Sequence, residues 1–266
     1  MREFDFIEWI RRQGGLDPSV VPVGPGDDCA VVKVGGEELL VTTDQVVDGV
    51  HVSLAEHGPE PVGRKAAARA ISDIAAMAGV PVGMVASVAA PPGLSRADAE
   101  AIYRGLRSAG DPLGCPLVGG DVAAWSGEAE RLQMTVTVFG RADGVGPILR
   151  AGAAPGDAIC VTGAFGGAWR SERHLTFIPR VTEARILAGR YDVRAMIDVS
   201  DGLAADLGRI LEASDVGAEI EAACVPLSEP AAAALRNDPG LLEVILTGGD
   251  DYELLFTVAS GGESRV

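Results

Sequence analysis

An apolar run that stops on an acid and resumes as a helix is the feature that most limits what this chain can fold into. Ala195-Met196-Ile197 reads as the end of a short buried strand, and Asp198-Val199-Ser200-Asp201-Gly202 follows it. From Leu203 the apolar positions Leu203, Leu207, Ile210 and Leu211 recur at helical spacing. Ser200 or Asp201 stands where a helix N-cap belongs. A cap accounts for one acid. It leaves Asp198 unexplained, because an acid closing an apolar strand is costly to bury unless something neutralises it.

The pattern recurs. Acids follow Gly, Ser or Thr at Gly26-Asp27-Asp28, Thr42-Thr43-Asp44, Ser72-Asp73, Gly119-Gly120-Asp121 and Gly249-Asp250-Asp251. Hard oxygen ligands of this kind suit Mg²⁺, which is commonly held by a few carboxylates together with substrate phosphates. Within the first group Asp28 reads as a turn or cap residue. The presence of such acids in both halves suggests two related α/β units.

The balance of the chain narrows its partners. Its formal charge of −16 argues against nucleic acid and anionic membrane surfaces. A polyanionic substrate needs divalent cations to approach such a surface. Only two lysines occur, Lys33 and Lys65, and neither lies in G-x-x-x-x-G-K-[ST], so the usual P-loop is absent. The four cysteines, Cys29, Cys115, Cys160 and Cys224, are scattered without a C-x-x-C, as expected of reduced thiols in the cytoplasm. No apolar stretch reaches the roughly 18 residues of a membrane span, and the N-terminus shows no signal-peptide core.

With 266 residues and 47% apolar content, the chain can build two domains with a sizeable core. The spacing predicts an amphipathic helix over 4–12 and a hairpin of strands 29–34 and 38–43, the second ending at Asp44. An Ala-rich helix over 63–78 is apolar nearly all round from Ala70 onward, which sets Asp73 inside a buried segment. A strand over 83–90, a helix over 95–109 capped by Ser95, and a strand over 116–118 ending at Gly119-Gly120-Asp121 follow. Residues 131–140 alternate Leu132, Met134, Val136 and Val138, as in a sheet strand. The loop 150–157 marks the expected boundary between domains 1–149 and 150–266. Beyond it, strands are expected at 158–162, 217–221, 244–246 and 252–258, with a helix at 181–188.

Taken in order, Gly-Asp-Asp, Thr-Thr-Asp, Ser-Asp-Ile-Ala-Ala-Met, Gly-Gly-Asp, Asp-Val-Ser-Asp-Gly-Leu and Gly-Gly-Asp-Asp-Tyr-Glu-Leu resemble the thiamine-monophosphate kinase family. That family lies within the superfamily of aminoimidazole ribonucleotide synthetase. The resemblance implies an α/β (α+β) fold of two domains. The N-terminal domain would bind ATP and Mg²⁺ and dimerise, its sheets pairing into a barrel. The C-terminal α/β domain would be truncated, since the chain ends short of a family segment that carries an aromatic contact to thiamine; weakened acceptor binding is the expectation. The activity implied is transfer of the ATP γ-phosphoryl to thiamine monophosphate in a cytoplasmic homodimer.

Carried over by position, Asp27, Thr42, Thr43, Asp44, Asp73, Asp121, Asp198 and Asp201 match the family's magnesium positions. Thr42 and Thr43 would supply hydroxyl or carbonyl oxygen, and Asp44, Asp121 and Asp201 stand closest to the chemistry. Gly120, Asp121, Arg150, Ser200 and Tyr103 match ATP contacts. His51 and Asp250 match contacts to the thiamine phosphate. The same motifs also fit a sister ATP-dependent synthetase, or a nucleotide-binding homologue without turnover.

Overall fold

The computed structural model describes residues 3–126, 131–142 and 144–261. The chain divides into two compact units, 1–74 with 79–143, and 75–78 with 144–266. The expected truncation bears on the C-terminal end, where residues 262–266 lie outside the described residues.

The first unit begins with α1 (Glu3–Gln13), then the hairpin β1 (Ala30–Val34) and β2 (Glu37–Val47). A short α2 (Leu54–His57) leads into α3 (Pro59–Ala76), then β3 (Val80–Ala90), α4 (Arg96–Gly110), β4 (Leu117–Ala124) and β5 (Gln133–Arg141). The strands form one sheet in the order β1-β2-β5-β3-β4. All neighbours are antiparallel except β3 and β4, which run parallel and are joined through α4.

Local chemistry explains these elements. β5 alternates buried and half-buried residues along its length, the period-2 pattern of a strand with one face on the core. Ser95 and Asp98 form a reciprocal capping box at the start of α4. The alanines of α3 let it sink into the unit: Ala66, Ala67, Ala68, Ala70, Ile71 and Ile74 are all fully buried. Pro59 at its first position costs no hydrogen bond, because that N–H has no intrahelical partner anyway.

The second unit carries β6 (Ala158–Val161), α5 (Arg173–Thr176), α6 (Val181–Arg190), β7 (Val193–Asp198), α7 (Leu203–Ser214), α8 (Glu229–Asn237), α9 (Leu242–Thr247) and β8 (Leu254–Val258). Its sheet has the order β6-β8-β7 with antiparallel neighbours. Ile197 of β7 and Leu203, Leu207 and Ile210 of α7 pack with Phe165 and Leu255 into its core.

Four expectations need correction. β2 does not end at Asp44 but continues to Val47, so its ladder with β5 runs on past Asp44. β4 likewise runs through Gly119-Gly120-Asp121 to Ala124. Residues 217–221 form no strand: Ala218 and Ile220 alternate with acids, yet no partner strand pairs with them. Val244-Ile245-Leu246 belongs to helix α9, three apolar residues being too few to separate the two periods. Within the described residues of the single chain each sheet is open.

Candidate active site

In the first unit the pleat of β2 sorts the Thr-Thr-Asp motif. Thr42 and Asp44 fall on the face covered by α3, while Thr43 points to the opposite face, where its hydroxyl meets that of Thr137 at 3.1 Å. The Thr42 hydroxyl donates to Asp73 Oδ2 at 2.5 Å. Asp44 accepts a two-pronged bond from Arg69, Nε to Oδ2 at 2.8 Å and Nη2 to Oδ1 at 3.0 Å. A carboxylate oxygen of Asp28 lies within 4.8 Å of one on Asp73. Asp27 instead turns Oδ1 back to the Asp28 N–H at 3.0 Å. So Thr42, Asp73 and Asp28 come together, Asp44 lies two residues further along the same face of β2 in the grip of Arg69, and the Thr43 hydroxyl faces away.

The side chains of Thr42, Asp28 and Asp73 offer only oxygen ligands, and Cys29 Sγ nearby is bonded to the Asp73 carbonyl at 3.3 Å. That donor set fits a hard cation such as Mg²⁺.

Ladder register places the other residues of this sheet. Asp44 pairs with Val136, Val136 with Ala86, and Ala86 with Gly120, so Gly120 lies on the cross-strand row of Asp44. Asp121 pairs with Ser87, on the row of Thr135 and Gln45, which puts its carboxylate on the face of Thr43. Gly120 is demanded by the sheet itself, since a Cβ there would meet the Ala86 carbonyl oxygen at 1.9 Å. A cleft of about 490 Å³ opens between α4 and strands β3 and β4, lined by Ala86, Ala99, Tyr103, Leu117, Gly120 and Val122. Gly120 and Tyr103 therefore share one mostly apolar cleft. The His51 ring accepts the Val47 N–H at Nδ1, 3.0 Å away, which puts the proton of the neutral ring on Nε2.

In the second unit the two acidic motifs are knitted together. Val199 N–H donates to the Glu253 carbonyl, Tyr252 N–H to the Val199 carbonyl, and Asp250 N–H to the Ser200 carbonyl, each at 2.8 Å. Gly249 makes that approach possible, because a Cβ there would stand 2.2 Å from the Ser200 carbonyl oxygen. Asp198 is buried at the end of β7, whereas Asp201 is exposed and pairs with Arg209. Arg150 sits in a loop stapled by Ser214, whose hydroxyl donates to the Arg150 carbonyl at 3.3 Å and accepts the Gly152 and Ala153 N–H groups.

Asp250 and Tyr252 both adopt left-handed backbone, at φ 67° and 53°. Such residues persist only where the surroundings over-determine them. Here the Tyr252 hydroxyl donates to Asp250 Oδ1 at 2.6 Å, and its ring stacks on Phe177 with centroids 4.0 Å apart. Between and beyond them, buried Asp251 accepts the Gly166 N–H and Arg173, and buried Glu253 accepts Arg180 and the Thr162 hydroxyl. Burial pushes the Asp251 carboxyl up to about 6.

The cap of α7 differs from expectation. Gly202, at φ 112°, is the N-cap and offers no side chain. Asp206, one turn inside the helix and fully buried, reaches back to accept the Asp201 and Gly202 N–H groups at 3.0 and 3.1 Å. It thereby leaves Ser200 and Asp201 without capping work. Burial pushes the Asp206 carboxyl up to about 6 as well.

Sequence reasoning passed over Asp28, Lys65, Arg69, Asp206 and the Arg173–Arg180–Glu253 group. One signal was available: Lys65, Arg69 and Asp73 recur every four residues in an otherwise Ala-rich helix, which puts them on one face.

Comparison with known proteins bears on this arrangement. Residues 26–142 match the AIR synthase related protein, N-terminal domain, and residues 154–263 match its C-terminal domain. The thiamine-monophosphate kinase of Rhodopirellula baltica is 37% identical over 266 residues, 97% of this chain and 82% of that protein. That of Bacillus subtilis is 35% identical over 98% of this chain and 84% of its own. The solved structure of AaThiL complexed with AMPPCP and TMP superposes with a TM-score of 0.83 at 29% identity, covering 97% of this chain and 87% of that one. The hydrogenase maturation protein HypE in complex with ATP shares the fold, at TM-score 0.70 and 19% identity. With identities above 30% across nearly its whole length, this chain belongs to the thiamine-monophosphate kinase family of the AIR synthase related proteins.

Proposed function

We propose that this chain transfers the γ-phosphoryl group of ATP to thiamine monophosphate, giving thiamine diphosphate and ADP. The observation that carries the reading is the retention of all six acidic motifs in order in a chain 37% identical to a thiamine-monophosphate kinase. An acceptor phosphate oxygen attacks the γ-phosphorus while the bond to the β-phosphate oxygen breaks. A phosphate monoester is mostly dianionic near neutral pH, its second pKa being about 6, so the nucleophile needs no general base. The acids of the site are free to serve charge and position, which is what phosphoryl transfer mainly asks of a protein.

Asp27, Asp28, Thr42, Thr43, Asp44, Asp73, Asp121, Asp198 and Asp201 are assigned to Mg²⁺, Thr43 through its main-chain oxygen. Bound Mg²⁺ supplies neutralisation of the phosphoryl oxygens. The cleft beside Tyr103 and Gly120 offers apolar walls to the flat face of adenine. Arg150 and Ser200 are assigned to ATP, Arg150 as a fixed positive charge. His51 donates from Nε2 to the acceptor phosphate, and Asp250, oriented by Tyr252, meets the acceptor as well. The exposed outer edge of β4, with Val118 and Val122 at 66% and 76% exposure, is assigned to a second copy of this chain.

The test is incubation with ATP, Mg²⁺ and thiamine monophosphate, followed by chromatography. Stoichiometric thiamine diphosphate and ADP are expected. ATP binding without product from this acceptor would overturn the assignment.

A further inference from the structure

Helix α3 presents three polar residues four apart on one face, and each holds a different part of the assigned site. Asp73 Oδ2 accepts the Thr42 hydroxyl at 2.5 Å, Arg69 clasps the carboxylate of Asp44, and the Lys65 ammonium donates to the His51 carbonyl at 2.9 Å. Read along the helix, the partners step from the loop after β2 back into the strand, so one rigid element indexes them all. Lys65 is fully buried, and the Arg69 and Asp44 side chains are only 14% and 24% exposed.

The bonding of Asp44 is specific about what remains available. Oδ1 accepts Arg69 Nη2 at 3.0 Å and also the Gln45 N–H at 2.9 Å. Among the described residues, Oδ2 accepts Arg69 Nε alone, at 2.8 Å. A carboxylate oxygen has two acceptor positions, so Oδ1 is filled and Oδ2 keeps one open. The planar guanidinium fixes the carboxylate in a rotation that a single-point cation cannot impose.

We infer that Arg69 is a positioning residue that locks the Asp44 carboxylate so that Oδ2 alone is offered to a divalent cation. This rests on the reading of Asp44 as a metal-holding residue. Arg69 has two separable effects. Its charge opposes the cation and weakens metal binding, while its fork sets the geometry and raises turnover.

The experiment compares wild type with Arg69→Gln, Arg69→Lys, Asp44→Asn and the double variant Asp44→Asn/Arg69→Gln. Mn²⁺ is titrated by electron paramagnetic resonance in the presence of AMPPCP, which reports metal binding without turnover. Rates are measured separately at saturating Mg²⁺. For Arg69→Gln, tighter Mn²⁺ binding is expected together with a kcat lowered about tenfold, a modest share of what positioning supplies. Arg69→Lys is expected to return Mn²⁺ affinity to the wild-type value but not kcat. Once Asp44 is Asn, removing Arg69 is expected to lower kcat no further, as for two residues acting through one contact.

Weaker Mn²⁺ binding by Arg69→Gln, full kcat in Arg69→Lys, or losses that multiply in the double variant would each overturn the inference while leaving the metal reading intact. Wild-type Mn²⁺ binding and rate in Asp44→Asn would overturn that reading and the inference with it. If Arg69→Gln does not fold, Arg69→Lys decides alone: lowered kcat at unchanged Mn²⁺ affinity supports the inference, and full kcat overturns it.

Discussion

Replacing Glu253 by Gln tests how the strained segment beside Asp250 is held. The change keeps the size of the side chain and removes its charge. Glu253 is buried and takes both prongs of Arg180, at 2.7 and 2.8 Å, as well as the Thr162 hydroxyl at 2.8 Å. Those bonds hold the Arg180 guanidinium above its ordinary range. Removing one partner of a buried pair costs about 3–5 kcal/mol. The Arg180 side chain is 31% exposed, so water recovers part of that loss. A net destabilisation of about 3 kcal/mol remains, which corresponds to a fall of roughly 10 °C in the thermal midpoint for a unit of this size. Differential scanning fluorimetry measures it, and KM for thiamine monophosphate is read on the same preparations at a temperature where both proteins are folded. That KM is expected to rise while KM for ATP holds, because Asp250 and Tyr252 lose their anchor. A midpoint within about 2 °C of wild type would show that solvent, not Glu253, satisfies Arg180, and the argument from burial would fail.

Asp28→Asn is expected to lower kcat by roughly a hundredfold, the scale of losing one charge-stabilising group, and Asp27→Asn by less, since Asp27 is occupied with a turn N–H; steady-state rates at saturating Mg²⁺ decide, and the reverse order would return Asp28 to a turn role. Chelation of divalent cations should abolish turnover and added Mg²⁺ restore it, with undiminished rate in excess chelator counting against the metal site. Asp206 is expected to make stability fall with rising pH, because its folded carboxyl, raised to about 6, keeps a proton that the unfolded chain releases near 4. Below pH 4 the effect is absent; above pH 6 it has cost about 3 kcal/mol, so the midpoint of Asp206→Asn minus that of wild type should grow more positive between pH 4 and 7. A difference that stays flat over that range would show that Asp206 titrates normally.

Legibility in the sequence followed the range of the interactions involved. Strand β5 and helices α4 and α7 were readable because their patterns are periodic and their caps or apolar stripes are local. Residues 217–221 were misread because alternation announces a willingness to pair, while a strand also needs a neighbour. Val244-Ile245-Leu246 was misread because three residues carry no period. The cap at α7 went to Asp206 instead of Ser200 or Asp201, since a buried acid four residues into the helix reached back where the sequence offered nearer oxygens. The acids of the candidate site were visible as motifs, but the choice between Asp27 and Asp28, and the sorting of Thr42 from Thr43, depended on loop geometry and on the pleat. Arg69 was invisible as a functional residue because its meaning comes from Asp44, 25 positions earlier and in another element.

The single-sided pairing of β4 has a consequence for how this protein breathes. Every other strand of its sheet except β1 has neighbours on both sides, whereas β4 hangs from β3 alone, in the one parallel ladder, and seven of its eight residues face solvent. Opening β4 therefore exposes little apolar surface and breaks a single row of bonds, so its amides should trade hydrogen for deuterium well ahead of those in β2 or β5. The strand bearing Gly120 and Asp121 is then the soft part of a stiff sheet. Nucleotide or a second copy seated there would announce itself first as slowed isotope uptake along 117–124, before any change in the rest of the fold.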